Sequence, residues 1–228
     1  MPKSEQDNPL ASLSEAMADA VAKAGASTIL VDARRRLPAS GISYTANMVL
    51  TAAHVIERDE DLRVILPDGK PMPAALAGRD PGNDLALLRL ESEVLTPARP
   101  AAQPARVGQL VLALGRPTSD GVQASLGIVS ALGGPVHTAR GSLLESCLRT
   151  DAIPYPGFSG GPLVSASGEI LGLNTSGLAS RRNPGKTRPH SPRLPGHPQP
   201  AGYAARRSAP GAEARPGDRL AAGRHRGG

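Results

Sequence analysis

The sequence predicts an all-β fold built as two β-barrels in series, and three observations carry that expectation. Eleven short apolar runs recur between turn residues, a spacing that suits strands rather than helices. A Pro/Ala-rich stretch at 96–105 divides those runs into six and five, as a connection between two barrels would. With one Phe, three Tyr and no Trp in 228 residues, the interior must be aliphatic, and Val, Leu, Ile and Ala are plentiful before residue 180.

The first seven residues, MPKSEQD, are polar and contain no apolar run of the kind a signal peptide needs. Nothing elsewhere approaches the ~18 consecutive apolar residues of a membrane span. As written, the chain is expected to be cytoplasmic, and exported if its true start lies upstream. In residues 9–24, Leu10, Leu13, Met17, Ala20, Val21 and Ala24 recur at three- and four-residue spacing, which is one face of a helix. Asn8 can cap it, Pro9 suits its first turn and Gly25 stops it. This helix is expected on the outside of the first barrel; the alternative is an arm for homo-oligomer formation.

Strand signals follow at 28–31, 42–44, 48–51, 62–66, 72–77 and 85–90, with Pro67-Asp68-Gly69-Lys70 as a hairpin turn. Six strands close one barrel. Further runs at 109–114, 122–131, 144–150, 162–165 and 170–174 leave the second barrel one strand short. The expected units are an N-terminal arm and helix (1–26), a first barrel (27–100), an incomplete second barrel (101–180) and a tail (181–228).

The tail holds 8 Pro, 8 Gly, 10 Arg and 8 Ala in 48 residues, with Leu194, Tyr203 and Leu220 its only large apolar side chains. Such a segment buries too little apolar surface to offset chain entropy, so disorder is expected. Ten arginines and Lys186 against Glu213 and Asp218 give it +9, while the whole chain is +6, so residues 1–180 carry −3. One reading of the tail is a basic arm for nucleic acid or an acidic partner. The absence of interleaved aromatics and of any binding module argues against nucleic acid. The favoured reading is an off-frame translation of GC-rich DNA, whose codons yield these residue types.

The most informative stretch is Pro156-Gly157-Phe158-Ser159-Gly160-Gly161-Pro162-Leu163-Val164. A serine among glycines ahead of an apolar run suits a nucleophile on a tight turn entering a buried strand. Gly157, Gly160 and Gly161 can take positive φ, and the amides of Gly157 and Ser159 can then converge as an oxyanion hole. An ordinary Gly/Ser turn is the alternative. Two other segments bear on the choice. Met48 to Val55 is an apolar strand running into His54, and Asn83-Asp84 opens the strand Leu85 to Leu90. A serine hydroxyl needs a base, and the imidazole needs a carboxylate to fix its tautomer. Asp80 and Asp151 are alternatives to Asp84, but neither opens an apolar strand after Asn.

Together TAAHV, NDLALLRL, TDAIPYPGFSGGPLV, GIVSA (127–131) and GEILGLNT (168–175) resemble a trypsin-like serine protease of the HtrA/DegP family, over roughly residues 27–178. The His, Asp, Ser order is that of the chymotrypsin type. The resemblance implies a chymotrypsin-like double β-barrel endopeptidase with His54 as general base, Asp84 as its orienting acid and Ser159 as nucleophile. It also implies polypeptide substrates, unfolded or misfolded ones, and no cofactor. Phe158 departs from the pattern, because the family usually has asparagine there and digestive trypsins aspartate. In such proteases the last strand of the second barrel follows the GEILGLNT segment and walls the specificity pocket, and a PDZ domain often comes after. Neither is visible after Ala179, so weak activity or none is expected, and the alternative to an enzyme is a catalytically inactive barrel that only binds peptides. Cys147 is the only cysteine and is expected in the core. The remaining histidines show no ligand spacing, which argues against a metal site.

Overall fold

A computed structural model of the chain describes residues 8–137, 143–144, 146–176 and 190–192. The first element is helix α1 (Pro9–Gly25), whose first turn is capped where the sequence suggests: Leu10 N–H donates to Asn8 Oδ1 at 3.0 Å. Six strands follow: β1 (Thr28–Asp32), β2 (Ala39–Thr45), β3 (Met48–Ala52), β4 (Leu62–Ile65), β5 (Pro71–Asp80) and β6 (Leu85–Arg89). They close a barrel in the order β1-β2-β3-β6-β5-β4, every pair antiparallel. Closure leaves no unpaired edge among them.

The second half is a barrel-like sheet of β7 (Leu110–Thr118), β8 (Gly121–Gly133), β11 (Cys147–Thr150), β12 (Pro162–Ser165), β13 (Ile170–Leu173) and β14 (His190–Pro192). A minor pair, β9 (Val136–His137) with β10 (Leu143–Leu144), stands apart from it, so the run expected as one strand at 144–150 is divided. The sheet order is β13-β12-β7-β8-β11-β14.

The sixth strand corrects the expectation of a second barrel one strand short. His190–Pro192 lies antiparallel to β11, with Leu148 opposite Ser191. It comes from the stretch expected to be without structure. Composition reports what side chains can bury, whereas an edge strand recruits its neighbour through main-chain N–H and C=O groups that any extended segment supplies. The rest of the tail, and residues 177–189, lie outside the described residues.

The aliphatic interior forms two clusters, and the pleat of β7 separates them. Leu112 and Leu114 point into a cluster that contains Ile29, Ile42, Val49 and Leu88 of the barrel, while Val111 and Ala113 point into one with Val129, Leu148 and Phe158. The strands β12 and β13 divide in the same way, with Val164, Ile170 and Leu173 on the first side and Leu163 and Leu171 on the second. Strands buried on both faces read as continuous apolar runs, which is why their sequences lack polar alternation.

Helix α1 is not confined to the first barrel as expected. Ala20 and Ala24 are buried in the first cluster, and Lys23 Nζ donates to the carbonyl of Ser167, between β12 and β13, at 2.8 Å. The helix thus rests on both sheets. Periodicity identifies an apolar face but not what covers it. The face is covered only in its second half, for Leu10 and Leu13 are 76% and 43% exposed.

Candidate active site

His54 lies in a short 3-10 turn, Ala53–Val55, directly after β3, and Asp84 directly precedes β6. The two strands are paired with Ala52 opposite Leu85, so the end of one and the start of the other coincide. Register therefore sets histidine beside carboxylate, and Ala53 N–H donates to the Asp84 carbonyl at 3.0 Å. Ser159 reaches the same place from the turn between β11 and β12.

The three side chains form one hydrogen-bonded line. His54 Nδ1 is 2.7 Å from Asp84 Oδ2, and His54 Nε2 is 3.2 Å from Ser159 Oγ. Asp84 Oδ1 also accepts the His54 backbone N–H at 2.9 Å, and Oδ2 accepts the Thr175 hydroxyl. Asp84 is 2% exposed and has φ of +55°, a left-handed conformation that aspartate tolerates better than most residues. Burial alone would raise its pKa; the bonds from the His54 ring, the Thr175 hydroxyl and the His54 N–H outweigh it and hold the carboxyl below its ordinary value.

That charge settles the tautomer. An ionised carboxylate only accepts, so the proton of a neutral His54 sits on Nδ1 and the lone pair of Nε2 faces Ser159. The arrangement is that of a base aimed at a hydroxyl. Asp80 and Asp151 are engaged elsewhere. Asp80 accepts from the N–H groups of Gly82 and Asn83 at 2.9 and 3.1 Å, and Asp151 Oδ1 accepts from Ile128 N–H at 2.7 Å.

The nucleophile turn is built from backbone. Phe158 N–H donates to the Tyr155 carbonyl at 3.0 Å, with Pro156 and then Gly157 between them and φ of +88° at Gly157. This is the residue pattern of a type II turn. A Cβ on Gly157 would come 2.5 Å from Pro117 Cβ, so space as well as φ requires glycine there. Gly161 has no positive φ, unlike Gly157 and Gly160; its constraint is the Leu114 carbonyl, 2.3 Å from where a Cβ would lie. Among the described residues the N–H groups of Gly157 and Ser159 donate to no protein acceptor. Two unspent donors flank the hydroxyl.

Phe158 is fully buried in the second cluster, edge-on to Tyr155 with ring centroids 5.4 Å apart. Packing thus anchors a position that a polar side chain holds in the resembling family. Sequence reasoning gave no role to Thr175, Ser40 or Arg116. Thr175 stands inside GLNT, and its position two residues past the buried strand β13 was the only available signal.

Residues 39–173 match the family described as "Trypsin-like peptidase domain". The chain belongs to that family. Its similarity to HtrA/DegP-type proteases is equally plain. It is 39% identical over 137 residues to "Probable periplasmic serine protease do/HhoA-like" of Haemophilus influenzae, covering 59% of this chain and 29% of that one. To "Periplasmic serine endoprotease DegP" of Escherichia coli it is 38% identical over 144 residues, covering 61% and 30%. The chain thus spans less than a third of the length of these relatives. Among solved structures, a serine endoprotease from Yersinia pestis aligns with TM-score 0.63 and 30% identity over 78% of this chain and 62% of that one. Deg5 aligns with TM-score 0.66 and 26% identity over 78% and 89%.

Proposed function

We propose that this trypsin-like domain is a serine endopeptidase that cuts polypeptides by acyl transfer, and the hydrogen-bonded line from Asp84 through His54 to Ser159 carries the reading. Ser159 Oγ adds to the scissile carbonyl as His54 Nε2 takes its proton. The amides of Gly157 and Ser159 receive the negative charge that develops on the carbonyl oxygen. Asp84 keeps the imidazole oriented and stabilises the imidazolium. His54 then returns the proton to the leaving amine, the C–N bond breaks, and Ser159 is left as an ester. Water, deprotonated by His54, hydrolyses that ester and restores the hydroxyl. No step calls for a cofactor.

Unfolded or misfolded proteins are the substrates we favour, on the strength of the DegP-type likeness. The relatives are named as periplasmic enzymes, and we extend that compartment to this chain; fractionation of the native host tests it. No helix among the described residues is long and apolar enough to cross a membrane. The activity is tested by incubating a denatured protein with the full chain and with Ser159→Ala. New fragments with the wild type alone support the proposal, and none with either variant refutes it.

A further inference from the structure

We propose that Ser40 is the positioning residue of the oxyanion turn: its hydroxyl holds the carbonyl of Gly157, in the peptide between the two donor amides, and thereby fixes the spacing of the Gly157 and Ser159 N–H groups. The inference rests on the acyl-transfer reading and identifies what keeps its anion site in shape.

Ser40 lies on β2, in the barrel opposite the nucleophile, and is fully buried. Each of its polar groups is engaged. Its Oγ donates to the Gly157 carbonyl at 2.7 Å and accepts the Arg116 N–H at 2.8 Å. Its N–H donates to the Ser159 carbonyl at 3.0 Å, and its carbonyl accepts the Thr51 hydroxyl at 2.7 Å. The direction of the hydroxyl proton is not a matter of choice. A backbone N–H can only donate and a backbone carbonyl can only accept, so the proton points at Gly157.

The consequence follows from which peptide is held. The Gly157 carbonyl and the Phe158 N–H belong to one peptide plane. Ser40 binds the first, and the Tyr155 carbonyl binds the second. With both ends tied, the plane cannot rotate, although glycine offers the backbone more freedom than any other residue. Ser40 N–H restrains the next carbonyl but one, that of Ser159. Ser40 thus binds both the peptide between the two unspent amides and the carbonyl that follows them, from a position 117 residues before Gly157. The Gly157 N–H lies on the preceding peptide, hinged at Gly157 Cα, and the Ser159 N–H on the following one, hinged at Phe158 Cα, so removing the hydroxyl frees the middle peptide to turn and shifts both donors. Preorganised donors stabilise charge because they need no reorientation during reaction. A loosened turn therefore lowers turnover and not substrate binding.

The test compares wild type with Ser40→Ala and with Ser40→Cys, the latter close in size but a much weaker donor, so that it preserves packing if the alanine variant folds poorly. We expect kcat on a peptide ester to fall about tenfold to a hundredfold with KM changed less than about twofold, and affinity for a peptide boronate to fall in parallel with kcat/KM. In the same proteins, hydrogen exchange of the Phe158 amide should quicken at least about tenfold while that of the buried Leu112 amide stays as in wild type. Unchanged kcat, unchanged Phe158 exchange, or equal loss of protection at Leu112 would each overturn the assignment, the last by reducing Ser40 to a general stabiliser. If wild-type Ser159 proves inert, it is the peptidase reading that fails, and Phe158 exchange alone then decides the role of Ser40.

Discussion

Phe158 occupies the space that Gly115 leaves: a Cβ on Gly115 would stand 2.5 Å from Phe158 Cδ1 and 2.9 Å from its Cγ. The pair explains how an apolar ring can sit beside the nucleophile without distorting its turn. Gly115→Ala should therefore destabilise the protein by about 1–3 kcal/mol, the usual cost of overpacking, measured by urea unfolding. Combining it with Phe158→Leu should recover part of that loss, because the two positions share one volume. Additive losses in the double variant would contradict the pairing.

Asp84→Asn preserves shape and removes charge. An amide can donate to His54 Nδ1, which favours the tautomer with its proton on Nε2, facing the nucleophile. Turnover should fall by about four orders of magnitude with little change in KM. Full turnover in that variant would remove Asp84 from the role.

The same carboxylate makes stability depend on pH. Its folded pKa lies below its ordinary value, chiefly because hydrogen bonds to His54 and Thr175 overcome the effect of burial. A depressed carboxylate contributes stability that is fully present above the unfolded pKa of about 4 and is lost as pH falls through the folded value. The advantage of wild type over Asp84→Asn in unfolding free energy should thus be intact near pH 5 and shrink below about pH 4. A gap that widens there would reverse the assigned sign.

Arg116 is a cation 7% exposed that ends on carbonyls: Nε donates to Thr28 at 2.8 Å, and a terminal nitrogen donates to Gly25, at the end of α1, at 3.1 Å. A positive group suits the C-terminal end of a helix dipole. Arg116→Met should cost about 2 kcal/mol in chemical unfolding, since it deletes two charge-assisted bonds. Arg116→Lys should restore less than half of that, because an ammonium cannot reproduce the planar fork. Equal stability of all three proteins would contradict this role.

What was legible in the sequence was whatever is local. The strand at 48–51 ending in His54, and Asp84 opening the next, can be read because the residue and its strand are adjacent in the chain; helix α1 shows its cap and its stripe for the same reason. What could not be read joins distant segments. Ser40 and Gly157, or Thr175 and Asp84, meet only after two sheets have packed, and no spacing rule connects them. Phe158 stands out in the sequence as a departure, and only Gly115, 43 positions earlier, accounts for it. Strand β14 escaped notice because edge pairing depends on main-chain atoms that composition does not weigh.

The central claim, that His54, Asp84 and Ser159 act as one assembled site, is tested most directly by reacting the purified full chain with a serine-directed fluorophosphonate and reading intact mass. The account expects one phosphonyl adduct in wild type, none in Ser159→Ala and a much slower reaction in His54→Ala. A folded wild type that takes up no label, or a Ser159→Ala variant that labels equally well, would contradict it.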